Sequence, residues 1–458
     1  MKVMKFGGGC LKDADGLGRV VDLIRAEKQP PCVVVSAVAG VTDLLLRGLA
    51  DVHRTKNAVG RTVACCRDVH LKLLEQTVAD DCSRPEAAHA LNVEIDKVER
   101  ILTGITLTGE ATVAVRNLVL SFGERLAARL VSAALRAGGV QARHFDADAI
   151  GLLTDDNLDN ATADLKAFRK NIGRKASVFR RDCVVHVITG FFGVTTRGRI
   201  SLFGRNGSDY SAAVVARAIG ADELEIWKDV DGFMTADPKT IPQARKIDRL
   251  SYYEAAELSY FGAKILHPRT LEPLEGMKIA VRIKSLLDPS GPGTEICSEG
   301  CENEDVVKSV TADDAIAVLR IHGPGVGYKP GVIGRIGRRL SDKGVNIHAI
   351  ITAQTCINLL LDKKDARESY DALRGLDVGV MSRLDLEEDI MLIAVVGDGL
   401  LNRKGVAARI FSSVSRAGIN VKMISTGASE AASYFIVRDS DGDKAIKALH
   451  REFFETSR

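Results

Sequence analysis

The segment Phe203, Gly204, Arg205, Asn206, Gly207, Ser208, Asp209, Tyr210, Ser211 packs charge, glycine and hydroxyl into one turn. It runs directly into an apolar-periodic stretch through Ala212, Val215, Ala216 and Ile219. Gly204 and Gly207 permit positive φ and close backbone approach, and Ser208 or Asp209 can cap the helix that follows. Free N–H groups at such a helix start face an anion, and Arg205 can grip a carboxylate or phosphate with both arms of its guanidinium. Asp209 would repel that anion unless it orients a metal, a lysine or an attacking group.

A second glycine turn, Gly7, Gly8 and Gly9, follows Lys5 and Phe6, again setting a cation beside backbone amides that can approach phosphate. It has neither the P-loop nor the Rossmann spacing, so taken alone it is equally a tight strand-to-helix turn. Ser36 and Thr42 offer hydroxyls after the next apolar run. Glu124 reads as first-turn residue of a helix over 123–137, where a glutamate ordinarily serves the helix dipole and could also hold a substrate ammonium. Lys228 and Asp229, then Met234 and Lys239, bring polar turn residues suited to a nucleotide. Lys264 sits among small and apolar neighbours, where a lysine needs an anionic partner. His267 before Pro268 reads as a structural cap rather than a catalyst. Three separated cations, Lys5, Arg205 and Lys264, with several glycine turns and no serine or cysteine triad, fit phosphoryl transfer. That chemistry needs positioning and charge neutralisation more than a covalent intermediate.

These residues must be positioned by the elements between them. Apolar runs at 3–6, 32–36, 184–189 and 223–228 read as buried strands, with helical patterns at 16–26, 123–137 and 211–219. The alternation predicts a mainly parallel sheet between helices, with ligands beyond the carboxyl ends of the strands. Residues 44–122 read as a helical insertion on the sheet's edge. Turn formers at 288–293 and an acidic run through Asp305 mark a break. Beyond it the chain repeats, with helix starts at Gly331–Val332 and Gly405–Val406 and Gly344, Val345, Asn346 echoed by Gly418, Ile419, Asn420. The spacing gives two tandem βαββαβ units of roughly 70 residues each.

The chain of 458 residues is too long for one ordinary core. A net charge of +3 without basic blocks gives no nucleic-acid signal. Nine scattered cysteines without a Cys-x-x-Cys pair argue for a reducing cytoplasm, with no disulfide frame or zinc site. The start has no signal-peptide pattern, and no apolar run reaches the ~18 residues of a membrane span.

On the motif Gly204–Ala212, on Glu225, Ile226, Trp227 with 229–232, and on 261–269, the chain resembles the aspartokinases of the amino acid kinase family, followed by two ACT modules. The resemblance implies an amino acid kinase fold over 1–296, a linker over 297–312, and ACT-like regulatory modules over 313–380 and 388–458. It implies transfer of the γ-phosphoryl of ATP to the β-carboxylate of L-aspartate, the entry step to lysine, threonine and methionine synthesis. Lys5, Asp209 and Lys264 would be catalytic. Ser36, Thr42, Glu124, Phe191, Arg205 and Ser208 would hold aspartate, with Arg205 on the α-carboxylate and Glu124 on the ammonium side. Gly7, Gly8, Lys228, Asp229, Met234, Lys239 and Lys264 would hold the nucleotide. Magnesium would ride on the ATP phosphates rather than in a protein cage. Val332, Ile333, Asn346, Ile347 and Gln354 would form an effector pocket for lysine or threonine, and pairing of the module sheets would give a homodimer. Since the chain stops at Arg458, the expectation is a monofunctional enzyme.

The chain departs from the family's pattern where Gly9 and Cys10 replace the usual Thr-Ser, where Lys228 replaces threonine, and where Lys239 replaces arginine. These changes motivate an alternative, a weakened kinase fold serving as an amino-acid sensor.

Overall fold

The structure, a computed structural model, describes residues 1–458 except 56, 81–82, 182, 231, 264, 298–305, 377–378 and 456–458, and the side chains of 174–181. Two compact units are formed: Met1–Phe233 with Lys246–Ser259 and Lys264–Cys301, and Met234–Arg245 with Tyr260–Ala263 and Glu302–Arg458.

The first unit runs β1 (Lys2–Phe6), α1 (Ala14–Ala26), β2 (Cys32–Val35), α2 (Val41–Asp51), α3 (Ala58–Thr77), α4 (Ser83–Thr108) and α5 (Val113–Ala137). It continues through β3 (Ala142–Phe145), β4 (Leu153–Thr154), α6 (Leu165–Arg181), β5 (Val185–Thr189), β6 (Phe192–Thr195), β7 (Ile200–Leu202), α7 (Gly207–Ile219) and β8 (Glu223–Lys228). After β8 come β9 (Arg249–Ser251), α8 (Tyr252–Tyr260), β10 (Ala280–Ser285) and β11 (Thr294–Cys297).

Its main sheet has the order β3-β5-β2-β1-β8-β10-β11-β9, parallel from β3 through β10 and antiparallel only between β10 and β11. Strands β1, β2, β5 and β8 are buried along almost their whole length, with Val, Ile, Leu, Met and Phe their commonest residues, the pattern of a sheet covered on both faces. The carboxyl ends of β1, β2 and β8 therefore lie side by side, and the turns that follow them carry the glycines, hydroxyls and lysines singled out above.

The helical insertion packs differently from the expectation. Helices α3 and α4 pack on each other and on α5, and it is α5 that lies against β2, β3 and β5. The insertion thus forms a layer over a helix instead of an edge of the sheet. Helix α5 also starts earlier than expected: the Thr112 hydroxyl accepts the Val115 N–H, so Glu124 lies in mid-helix. Gly123, which looked like a helix start, is tolerated there because a Cβ would meet that of Ala37 at 2.8 Å. Its absence lets α5 press against the turn after β2.

The second unit contains β12 (Ser309–Asp313), β13 (Ile316–His322), α9 (Val332–Ser341), β14 (Ile347–Ala353), β15 (Cys356–Asp362), α10 (Lys363–Arg374) and β16 (Arg383–Glu387). Then follow β17 (Ile390–Val396), α11 (Val406–Arg416), β18 (Met423–Thr426), β19 (Ala432–Arg438) and α12 (Gly442–His450). One sheet, β14-β15-β13-β16, is built from residues 316–387. The other, β12-β17-β19-β18, takes its edge strand from before the first module, with Ser309 opposite Val396 and Asp313 opposite Leu392. The expected linker 297–312 therefore supplies a structural strand, and the first module is inserted into the second instead of preceding it. The apolar faces of the sheets bury Leu319, Ile321, Leu359 and Leu361 under α9 in one module and Ile393, Val395, Phe435 and Val437 under α11 and α12 in the other.

Candidate active site

Lys5 is the penultimate residue of β1 and lies opposite Ile226 of β8 in parallel register. Lys228, two residues beyond Ile226, projects to the same face as Lys5 because side chains alternate along a strand. Over that face lies the first turn of α7, which carries Asp209. The three side chains meet. Lys5 Nζ lies 2.6 Å from Asp209 Oδ1 as an ion pair, and Lys228 Nζ donates a hydrogen bond to Oδ2 at 2.8 Å. Asp209 is fully buried and the Lys5 side chain nearly so, whereas that of Lys228 keeps 16% of its surface open. Burial alone would raise the Asp209 carboxyl, but the two ammonium groups hold it below the ordinary carboxylate range. For Lys5, burial lowers the pKa, Asp209 opposes that shift and Lys228 reinforces it.

Helix α7 begins at Gly207 after Asn206 in the left-handed region, with no side-chain cap. Ser208 and Asp209 thus lie inside the first turn and do not cap it. Close approach of this turn to the sheet depends on Gly190, where a Cβ would lie 2.8 Å from Ser208 Cβ and 3.0 Å from the Val35 carbonyl. Phe191, next in sequence, is held at φ 71°. Its carbonyl accepts the Phe203 N–H at 2.9 Å. A left-handed aromatic residue costs on the order of 1–3 kcal/mol and persists where its surroundings over-determine it, as at ligand sites.

Phe191, Asn206, Gly207 and Ser208 line a cavity of about 290 Å³, together with Gly8, Ser36 to Gly40, Thr42, Asp43 and Glu124. That is near the lower end of the roughly 300–1,000 Å³ of small-molecule sites. The uncapped helix N-terminus supplies partial positive charge at its wall. Glu124 supplies a carboxyl group at the facing wall. Its Oε1 accepts the Ala37 N–H at 3.1 Å, while Oε2 is buried with no hydrogen-bond partner among the described residues. Burial pushes this carboxyl up to about 8, with the Ala37 amide and Lys5 charge opposing. A buried acceptor aimed at a cavity is a site for a cationic donor.

Ser36, Thr42, Glu124, Phe191 and Ser208 are thus brought together, along with Gly8. Arg205 is not among the cavity-lining residues; it lies exposed in the turn before α7. Asp229 is exposed at the end of β8. Met234 and Lys239 fall in the second unit, Lys239 exposed on its surface. Lys264 lies outside the described residues. His267 behaves as a cap, its Nδ1 accepting the Arg269 N–H at 3.3 Å. Of the effector candidates, Val332 is buried in its module's core, Ile333, Asn346 and Gln354 are exposed, and Ile347 is half-buried. Among the described residues no three His, Cys, Asp or Glu side chains gather as a metal cluster, and no helix is long and apolar enough to cross a membrane.

Sequence reasoning missed two supports. Arg125, beside Glu124, is anchored at 2.7 Å to Asp146 and 2.8 Å to Asp148 and lies over the Phe192 ring. It fixes the rotation of α5 that turns Glu124 to the cavity; the alternation Asp146-x-Asp148 after β3 was the available signal. The Gly190–Ser208 contact left no sequence signal.

The profile of the amino acid kinase family matches residues 1–285, and that of the ACT domain matches residues 393–453. The chain is 31% identical to aspartokinase 2, chloroplastic, of Arabidopsis thaliana, over 99% of this chain and 84% of that protein. It superposes on Escherichia coli aspartokinase III in complex with aspartate and ADP (R-state) with a TM-score of 0.84 at 28% identity, covering 99% of this chain and all of that one. The same protein in complex with lysine and aspartate (T-state) superposes with a TM-score of 0.82 at 28% identity, covering 99% of each chain.

Proposed function

Since the chain belongs to the amino acid kinase family, with aspartokinase likeness along 99% of its length, we propose a residue-level reading of how it works. The enzyme is an ATP-dependent aspartate kinase with ACT regulatory modules, and its product is 4-phospho-L-aspartate. A β-carboxylate oxygen of aspartate attacks the γ-phosphorus of ATP. The bond from that phosphorus to the β,γ-bridging oxygen breaks, and its electron pair leaves on ADP. The attacking carboxylate is already ionised at neutral pH, so no general base is needed.

In this reading aspartate occupies the cavity between α5, α7 and the turn after β2. Its ammonium pairs with Glu124, and its negative ends lie toward the α7 N-terminus, with Arg205 closing on the α-carboxylate. Lys5, held by Asp209, neutralises charge on the transferring phosphoryl group. The nucleotide approaches along the ends of β1 and β8, over Gly7, Gly8 and Asp229. Magnesium arrives on the ATP phosphates, where it would neutralise charge. The buried Lys5–Asp209 pair beside a cavity lined by a Glu124 carboxyl oxygen that has no partner among the described residues supports this reading most strongly. We further propose that lysine is the effector, bound near the start of α9, and that two copies pair through their modules. The test is release of ADP from Mg-ATP with and without L-aspartate, repeated with lysine and threonine. Aspartate-dependent release supports the reading, and its absence from a folded protein refutes it.

A further inference from the structure

The turn after β1 and the end of β8 are built as one piece. A Cβ at Gly9 would lie 2.3 Å from Asp229 Oδ2, so the Asp229 carboxylate fills the space a side chain at position 9 would take. Cys10 Sγ contacts the Trp227 carbonyl at 3.4 Å, and the Gly7 N–H donates to the same carbonyl at 3.2 Å. Burial pushes the Cys10 thiol up to about 11, so it braces this junction as a neutral thiol. The glycine turn itself therefore presents no hydroxyl to a phosphate. Lys228, by contrast, lies between Trp227 and Asp229 and turns its ammonium back toward the sheet face, onto Asp209.

One buried carboxylate thus meets two ammonium groups of different accessibility, Lys5 almost wholly enclosed and Lys228 open at 16%. A single carboxylate balances only one of them. Asp229, exposed at the end of β8, is an ion-pair partner of neither lysine among the described residues, so one ammonium of the cluster is left unbalanced, and enclosing it is costly unless an anion completes it. A phosphoryl group passing from ATP to a carboxylate is an anion of the right kind, at its most negative spread in the transition state.

On the reading given under Proposed function, we propose that Lys228 is a second transfer cation. Its ammonium moves from Asp209 Oδ2 to the oxygens of the transferring phosphoryl group while Asp209 keeps Lys5 in place. In this chain it supplies charge that the bare Gly9–Cys10 turn cannot. The bonds made and broken are those of the aspartate kinase step, the oxygen–phosphorus bond forming as the bridging bond breaks toward ADP, and Lys228 exchanges no proton.

Lys228→Met and Lys228→Arg are compared with the unchanged enzyme for kcat, for KM of ATP and of aspartate, and for Tm. Lys228→Met is expected to lower kcat by about ten- to a hundredfold, as loss of one preorganised charge does, with KM for aspartate changed less than about threefold. Tm should hold, since Lys5–Asp209 remains paired. Lys228→Arg should recover most of kcat. Wild-type kcat in Lys228→Met, or a loss confined to KM for ATP, overturns the proposal. A loss that tracks a fall in Tm and is not recovered by arginine also overturns it, by making Lys228 a structural prop. If the unchanged enzyme shows no aspartate-dependent ADP release, the underlying reading falls first and the proposal with it.

Discussion

Aspartate binding should expel a proton, and the reason lies in Glu124. Its carboxyl is buried in mid-helix, is pushed up to about 8, and has one oxygen without a partner among the described residues. At pH 7 such a group is ~0.9 protonated in the free enzyme, whereas a bound ammonium requires the carboxylate. Binding at pH 7 should therefore release about one proton and cost ~1.4 kcal/mol, a factor of about ten, relative to pH above 8. Apparent aspartate affinity should improve about ninefold from pH 6 to 7 and about fivefold from 7 to 8, and then level off. Calorimetry at pH 7 in two buffers of different ionisation enthalpy reads the proton count directly. Glu124→Gln should abolish both the release and the slope while weakening binding.

The same group has a stability signature of opposite sign to an ordinary salt-bridged carboxylate. Its folded pKa lies above the unfolded value, so between about 4.5 and 8 the folded chain binds the extra proton and stability falls as pH rises. The ceiling is on the order of 4–5 kcal/mol and disappears in Glu124→Gln. Aspartate affinity that is flat from pH 6 to 8, or release of under ~0.2 proton, would refute the placement of Glu124 against the ammonium.

Four other outcomes are expected. Asp209→Ala leaves the enclosed Lys5 ammonium and the partly open Lys228 ammonium without their carboxylate, so turnover should fall at least ~100-fold and stability by about 3–5 kcal/mol, read by steady-state kinetics and urea denaturation. Asp209→Asn should lose a similar factor in turnover with less stability lost. Gly190→Ala forces α7 off the end of β2, and KM for aspartate should rise at least ~10-fold as the cavity wall shifts, with kcat less affected. Arg125→Met breaks the anchor to Asp146 and Asp148 and should cost about 3–5 kcal/mol, visible as a lowered denaturation midpoint. Sedimentation at micromolar concentration should give a dimer, and a monomer would refute pairing through the modules.

Much of this architecture was legible because it rests on local pattern. The strand Glu223–Lys228 sets Leu224, Ile226 and Trp227 in a short buried stretch before polar turn residues, and the helix after Asn206 declares itself through glycine, serine and a periodic apolar face. What was not legible depends on partners distant in sequence. Strand Ser309–Asp313 is short and lacks a clear alternation, and the strand that makes it one lies some eighty residues further on. Glu124 was misplaced because a mid-helix glycine looks like a helix start until Ala37 is seen against it. The sequence marked Lys5, Asp209 and Lys228 separately. Only the parallel register of β1 and β8 sets both lysines on one face, beneath one carboxylate. Arg205 was the reverse case, a strong local signal that the structure leaves exposed.

Transfer of the phosphoryl group to the β-carboxylate of aspartate, as proposed, gives an acyl phosphate that can be trapped. With Mg-ATP, L-aspartate and hydroxylamine present, an acyl phosphate is captured as a hydroxamate whose position mass spectrometry assigns. Aspartate β-hydroxamate is expected in one-to-one ratio with ADP. ADP formed without hydroxamate, or hydroxamate at the α-carboxylate, would contradict it.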